Sequence, residues 1–181
     1  MLTLKKSLWL LLLVSSVTFV GCKKDNEEPA DNELITNVKL KFTELGTTTV
    51  TTFEWKDSDG DGGAAPTKFD KVSLKPNKTY GFTIELYDDS KSPATNISEE
   101  VAGEADEHLF VYTPTPASLL TFTITDKDSK NYPIGLKADV KTTTAGTGKL
   151  KVQLRHQPGA KNGTATPGSD DVNLDFDVEI K

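Results

Sequence analysis

The feature that most constrains the fold is an alternation of apolar and polar side chains that recurs between Leu34 and Ile180. It is clearest in the segment Thr79–Asp88, whose apolar positions are Tyr80, Phe82, Ile84 and Leu86. Successive side chains of a β-strand point to opposite faces, so each such segment predicts a strand with one buried face. Turn-forming residues separate about nine segments of this kind, which predicts an all-β, antiparallel β-sandwich.

The last two segments also carry opposite charges on their outer faces. In the first, Leu150, Val152 and Leu154 face inward, and Lys149, Lys151 and Arg155 face outward. In the second, Val172, Leu174, Phe176, Val178 and Ile180 face inward, and Asp175, Asp177 and Glu179 face outward. Opposite charges on facing positions stabilise paired strands, so we predict adjacent antiparallel strands joined by ion pairs.

One segment, residues 96–108, departs from the alternation and predicts a short acidic helix. Ile97 and Val101 are spaced for one helical face, and Asn96 or Ser98 is a suitable N-cap. The alternative to a solvated crossing helix is a docking surface for a basic partner. No alternation of strands with long helices follows, so a parallel α/β fold is not expected.

The segment Leu74-Lys75-Pro76-Asn77-Lys78-Thr79-Tyr80 resembles the L-x-P-x-x-x-Y motif of fibronectin type III domains. In those domains the tyrosine hydroxyl closes a corner between strands by bonding the upstream backbone. The resemblance implies an immunoglobulin- or fibronectin-like sandwich and the same role for Tyr80. It carries no functional residues.

The N-terminal sequence predicts a secretory signal peptide followed by a lipid anchor. Two lysines precede an apolar run over residues 8–20, which is too short for the roughly 20 residues that span a bilayer and is typical of a signal peptide. The sequence Phe19-Val20-Gly21-Cys22 resembles the lipobox of bacterial lipoproteins, with Phe19 where the family prefers Leu. The resemblance implies cleavage before Cys22 and lipid attachment to it.

The expected organisation has three parts. Residues 1–21 are the signal peptide, residues 22–33 are the lipidated cysteine and a flexible charged tether, and residues 34–181 are the β-sandwich domain. The acidic run after Lys24 resembles the surface-export signal of some Gram-negative lipoproteins, although a plain linker has the same composition. We therefore expect an outer-membrane lipoprotein, either surface-exposed or facing the periplasm.

The overall layout is similar to a group of small bacterial lipoproteins, some labelled "type 1 periplasmic binding fold superfamily protein". The likeness covers the anchor, the aspartate-rich loop, the strand that begins near Tyr80, the acidic helix and the Leu-Arg-His sequence before Gln157. That label implies a longer α/β sugar-binding fold. The strand pattern predicts an all-β domain instead, so no activity follows from the label.

Composition limits the possible partners. Asp and Glu total 27 against 21 for Lys and Arg, giving a formal charge of −6, which argues against binding nucleic acid. The single cysteine, Cys22, cannot form an intramolecular disulfide. The expected partners are the membrane, through the lipid anchor, and an outer-membrane protein; the ligand is not predicted.

The loop that begins at Asp57 has the first half of a calcium-binding pattern. Asp57, Asp59 and Asp61 alternate before a glycine, so their carboxylates could converge on one cation. The twelfth position of such a loop needs a glutamate, but here it is Lys68. The alternative is a polar loop in which Asp and Gly serve turn conformations.

The two histidines, His108 and His156, are candidate ligands for Zn²⁺ or Cu²⁺. Acidic residues, Glu104, Asp106 and Glu107, precede His108, and His156 continues the inward parity of its strand. The sequence does not show that the histidines meet. The alternative is one strand-end histidine and one exposed histidine.

No catalytic arrangement is recognisable. A G-x-S-x-G motif is missing, Cys22 is assigned to lipid, and the adjacent acid pairs, such as Asp170-Asp171, are typical of solvent-facing turns. We therefore expect a non-enzymatic binding or accessory module at the cell envelope. The alternatives are a metal-capture protein that works with an outer-membrane transporter and a hydrolase whose site is built from loops.

Overall fold

A computed structural model of the chain describes residues 34–59 and 63–181. The predicted signal peptide, lipid-bearing Cys22 and tether lie outside these residues. The strands are β1 (Asn37–Glu44), β2 (Val50–Lys56), β3 (Lys68–Phe69), β4 (Val72–Leu74), β5 (Thr79–Asp88), β6 (Thr95–Asn96), β7 (His108–Thr115), β8 (Leu120–Ile124), β9 (Lys137–Thr142), β10 (Gly146–His156) and β11 (Ser169–Ile180). The helix α1 spans Ile97–Gly103.

The strands form two sheets that are not closed into a barrel, which confirms the predicted all-β sandwich. The larger sheet has the order β3-β2-β1-β5-β9-β8, with β6 beside β5, and the smaller has the order β4-β11-β10-β7. In the smaller sheet, β10 pairs antiparallel with both β11 and β7, whereas β4 pairs parallel with β11. The strand number exceeds about nine because β3 and β6, of two residues each, have too few residues to show an alternation.

The core lies between the sheets and uses the side chains that the alternation assigned inward. Leu40, Phe42, Val152 and Phe176 have no solvent exposure. Complete burial of a side chain of this size contributes roughly 1.5–3 kcal/mol. Aromatic contacts join the two sheets, as between Phe82 of β5 and Tyr112 of β7, whose ring centroids are 5.2 Å apart.

The outer faces of β10 and β11 carry the predicted ion pairs. Lys149 Nζ lies 2.8 Å from Asp177 Oδ1, and Lys151 Nζ lies 3.2 Å from Asp175 Oδ2. Both pairs are direct cross-strand neighbours in the register. The prediction of adjacent antiparallel strands with complementary outer charges is confirmed.

The turn before β5 contains the tyrosine contact that the L-x-P-x-x-x-Y motif implies. Tyr80 is buried, and its hydroxyl oxygen accepts a hydrogen bond of 3.0 Å from the backbone N–H of Lys75. Asn77 adopts a positive φ of 56° in this turn, a conformation that asparagine tolerates better than most residues. The contact fixes the passage from β4 in the smaller sheet to β5 in the larger one.

Helix α1 is capped by Asn96, one of the two predicted N-cap residues, and carries the chain from the larger sheet to the smaller. The side chain of Asn96 accepts a hydrogen bond of 3.1 Å from the N–H of Ser98, and Ile97 and Val101 are buried. The helix ends at Gly103 because glycine disfavours helix interiors, so it is shorter than the predicted segment. Among the described residues, no helix is long and apolar enough to cross a bilayer.

Candidate metal centre

The two histidines meet at one end of the smaller sheet. His108 is the first residue of β7, His156 is the last residue of β10, and the antiparallel register places them directly opposite each other. Their rings stack with centroids 4.8 Å apart and planes 5° from parallel. His108 is only 2% exposed, so the interpretation of one exposed histidine is wrong. The strand order brings these two distant residues together.

Asp171 joins the histidines because of an irregularity in β11. The pairing passes from Leu154 with Val172 to Arg155 with Asp170, which leaves Asp171 as an extra residue in the register. Such a bulge changes the direction of a side chain relative to simple alternation. Asp170 consequently pairs with Arg155, whereas the Asp171 side chain is only 3% exposed and lies beside His108.

The three side chains are close enough to share one cation. One potential ligand atom from each of His108, His156 and Asp171 lies within 4.8 Å of the others, and His108 Nε2 is 3.8 Å from Asp171 Oδ2. Asp171 Oδ1 is buried without a hydrogen-bond partner among the described residues. A buried polar atom in that state costs about 1–3 kcal/mol, and more if it is charged.

The surroundings favour a histidine tautomer suited to binding a metal. His108 Nδ1 lies 3.2 Å from the carbonyl oxygen of Glu104, which can only accept, so Nδ1 carries the proton and donates. Nε2 then keeps a lone pair on the side of Asp171. Burial lowers the pKa of His108 and raises the pKa of Asp171, because it disfavours the charged form of each side chain.

A second carboxylate, that of Glu107, lies at the more exposed side of the cluster. Glu107 Oε2 is 3.7 Å from His156 Nε2, and the Glu107 side chain is 38% exposed. Hydrogen bonds hold the peptide groups on both sides of the Glu107 Cα. The Glu107 N–H donates to the Glu104 carbonyl at 2.9 Å, and the Glu107 carbonyl accepts from the Gln157 N–H at 2.6 Å.

The connection between β10 and β11 is held in place by its own buried polar groups. Gln157 is fully buried, and its Nε2 donates to the carbonyls of Thr164 and Pro167 at 2.8 and 2.9 Å. Gly168 has a φ of 83°, and an added Cβ would collide with the carbonyl oxygen of His156. The loop therefore needs glycine at this position and sets the spacing between His156 and Asp171.

A buried ion pair ties the same connection to the rest of the domain. Lys161 Nζ lies 3.0 Å from Asp128 Oδ2, with both side chains 1% exposed, and donates to the Ala105 carbonyl at 2.6 Å. Asp128 Oδ1 accepts backbone N–H groups from Lys130 and Tyr132. Burial opposes ionisation of Asp128, but these donors hold its pKa below the usual range. Lys161 thus connects the loop to the turn before β9 and to the segment after α1.

The structure describes only part of the predicted calcium loop. Asp57 is buried, Asp59 is exposed, and Asp61 lies outside the described residues. Asp59 Oδ2 accepts the N–H of Ala64 at 2.9 Å, and this bond, followed by one with Asp57, lowers the pKa of Asp59. Lys68 pairs with Glu54 rather than facing the loop carboxylates. The calcium site stays a prediction.

The donor set indicates the class of ion that could bind at the histidines. Within the described part of the chain, His108, His156 and Asp171 are the group of three or more His, Cys, Asp or Glu residues close enough to hold one ion. Two imidazoles and a carboxylate suit Zn²⁺ or Cu²⁺, with bonds of about 2.0–2.2 Å. Tetrahedral ligand atoms would then be about 3.4 Å apart, so the candidate ligand atoms, which lie within 4.8 Å of one another, would have to move closer together on binding.

Sequence reasoning named His108, His156 and Glu107 but passed over Asp171 as half of a solvent-facing pair. The available signal was the position of Asp170-Asp171, two adjacent acids immediately before a strict alternation. Comparison with known proteins found no match to a protein family, a curated protein or a solved structure. The features of this chain that bear on its function are therefore the geometry of the site and the N-terminal sequence.

Proposed function

We propose that this protein is a lipid-anchored, non-enzymatic module of the cell envelope whose domain binds one Zn²⁺ or Cu²⁺ ion through His108, His156 and Asp171. The observation that carries the proposal is the Asp171 carboxylate, which is buried against His108 and has an Oδ1 atom without a hydrogen-bond partner among the described residues. A divalent cation would stabilise the ionised form of this carboxylate.

The arrangement supports holding an ion rather than transforming a substrate. His108 and Asp171 are almost fully buried, and all three candidate ligands lie on hydrogen-bonded strands. Ligands on strands keep their spacing better than ligands on loops. The site is therefore suited to capture, and an acylated Cys22 would keep the captured ion near the membrane, where an outer-membrane transporter is the expected receiver.

The metal-binding part is tested by calorimetric titration of the full chain, purified in detergent, first with Zn²⁺ and then with Cu²⁺. We expect one ion per chain. Asp171→Asn and His156→Gln should each weaken binding by about 10- to 100-fold or more, since loss of even an outer-shell partner has an effect of that size. Asp175→Asn, an exposed carboxylate on the same strand, is the matched control and should bind normally.

Absence of saturable binding to the wild-type chain would refute the metal-binding function. Equal affinity in Asp171→Asn, Asp175→Asn and the wild type would refute this site. Circular dichroism of each variant separates loss of binding from loss of folding.

The anchor is tested separately by fractionation of cells that express the wild-type chain or Cys22→Ala. We expect the wild type in the membrane fraction and the variant in the soluble fraction, because stable attachment requires the acyl chains. Continued membrane association of Cys22→Ala would contradict a lipid anchor at this residue.

A further inference from the structure

We infer that Glu107 is a fourth ligand, so that the ion binds in a closed site of two imidazoles and two carboxylates. The inference rests on the proposed function and adds the ligand that decides what the ion can do. Glu107 precedes His108 in the chain, and its Oε2 lies 3.7 Å from His156 Nε2. This separation is close to that between His108 Nε2 and Asp171 Oδ2, which is 3.8 Å.

The backbone of Glu107 is fixed while its side chain is free to adjust. Hydrogen bonds to Glu104 and from Gln157 hold the peptide groups on either side of its Cα. The carboxylate is more than a third exposed, so it can move toward His156 without disturbing the core. Asp171 is buried, and the two carboxylates therefore belong to an inner and an outer side of the cluster.

Charge balance favours the second carboxylate. A divalent cation with two neutral imidazoles and Asp171 alone would leave one uncompensated positive charge in a buried setting. Burial of an unpaired charge is costly, whereas two carboxylates neutralise the ion. Besides Asp171, Glu107 supplies a carboxylate near the histidines, with its Oε2 3.7 Å from His156 Nε2.

The stacked histidine rings indicate which ligands move. The lone pair of an imidazole nitrogen lies in the plane of the ring, so two parallel stacked rings cannot both direct a lone pair at one ion. His108 is held by the Glu104 carbonyl and is buried. The His156 side chain is 13% exposed, and its Nε2 lies 3.7 Å from the Glu107 carboxylate. Rotation of His156 therefore completes the site, with His108 and Asp171 as its fixed half.

Four protein ligands change the chemistry expected at the ion. Catalytic zinc sites keep one position open for water, whereas closed four-ligand sites hold the ion without activating a nucleophile. With Glu107 bound, the site is of the closed type. Its outer half, Glu107 and His156, would also be the side through which the ion enters and leaves.

Glu107→Gln in the full chain tests this inference, with Asp106→Asn as the control. Both variants remove one negative charge, and Asp106 is exposed and adjacent in sequence. Co²⁺ serves as the probe because its visible absorption is strong in four-coordinate sites and weak at higher coordination number. We expect an intense spectrum for the wild type and for Asp106→Asn. Glu107→Gln should bind about 10-fold or more weakly, with reduced intensity as water replaces the carboxylate.

The outcomes separate the two proposals. If the wild type binds Co²⁺ and Glu107→Gln matches Asp106→Asn in affinity and spectrum, Glu107 is not a ligand and the metal-binding function stands. If the wild type binds none of Co²⁺, Zn²⁺ and Cu²⁺, the proposed function fails and the inference fails with it. Weak, high-coordination Co²⁺ absorption in a wild type that does bind would refute the closed site alone.

Discussion

Strands β10 and β11 carry charged side chains in two regions that differ in solvent exposure and in the pairing of their charges. Along the middle of the hairpin, Lys149 with Asp177 and Lys151 with Asp175 form an exposed ladder in which each charge has an opposite partner. At the end of the same hairpin, Asp171 is buried beside two imidazoles. The change from one region to the other occurs at the bulge in β11.

The difference separates polar residues that form stabilising pairs from a carboxylate whose burial is unfavourable for the fold. Exposed pairs contribute about 0–1 kcal/mol each and can be exchanged at little cost. The buried carboxylate of Asp171 lowers the stability of the fold, since burial disfavours its charged form. Groups with perturbed pKa values of this origin concentrate at functional sites, which is why the end of the hairpin carries the functional proposal.

The largest expected effect comes from breaking the buried pair that supports this end. Lys161→Met should lower the free energy of unfolding by about 3–5 kcal/mol, because Asp128 would remain buried and uncompensated. Urea denaturation provides the measurement, and Lys149→Met on the exposed ladder is the control. The double variant Lys161→Met/Asp128→Leu should recover much of the loss. Similar effects of the two lysine substitutions would contradict the contrast between the regions.

A smaller effect of opposite sign is expected at Asp171. In metal-free protein at neutral pH, Asp171→Asn should raise the free energy of unfolding by about 1 kcal/mol, a size usual when an unfavourable group is relieved. The folded-state pKa of Asp171 is raised, so its ionised form costs stability above the unfolded pKa. The stability gained by Asp171→Asn should therefore shrink as the pH falls through the folded-state pKa of Asp171, because the protonated Asp171 is then as neutral as the asparagine that replaces it.

This prediction is checked by denaturation of the wild type and Asp171→Asn across the acid pH range, with Asp175→Asn as the exposed control. Added Zn²⁺ should reverse the order of stability, because only the wild type gains from binding. An Asp171→Asn variant that is less stable than the wild type without metal would show that the carboxylate stabilises the fold directly.

The smallest effect is expected on the ladder itself. A double-mutant cycle of Lys149→Ala and Asp177→Ala should give a coupling energy below about 1 kcal/mol. Because both side chains are exposed, added salt should reduce the coupling further, since the screening length is about 10 Å at 0.1 M. A coupling energy that is large and insensitive to salt would show that the exposed pair behaves like the buried pair of Lys161 and Asp128.

The fold was predictable because a strand with one buried face has a regular alternation of apolar and polar residues in its sequence. Positions such as Val152 and Phe176 were assigned inward from parity alone, and both are buried. The ion pair of Lys149 with Asp177 followed from the same regularity. The acidic helix was also predictable from its local sequence, which left Asn96 and Ser98 as alternative caps, and the structure shows Asn96 in that position.

The candidate site was only partly predictable because it depends on strand order and on a break in the regularity. Nothing local shows that β7 lies beside β10, and so the meeting of His108 with His156 could not be derived. Simple alternation before Val172 would turn the Asp171 side chain outward, and the bulge reverses this direction. Lys161 lies in a loop rich in glycine and proline, whose composition suggested only exposure.

The hydrogen-bonded loop between β10 and β11 has a consequence for the kinetics of the proposed ion capture. Gln157 and Lys161 fix this connection from inside, so His156 and Asp171 already stand at their final spacing along the backbone. Association then requires no ordering of a flexible segment, and the conformational entropy lost on binding is confined to a few side-chain rotations. Such rotations are fast for partly exposed residues, so shedding of hydration water by the incoming ion would limit the rate of capture.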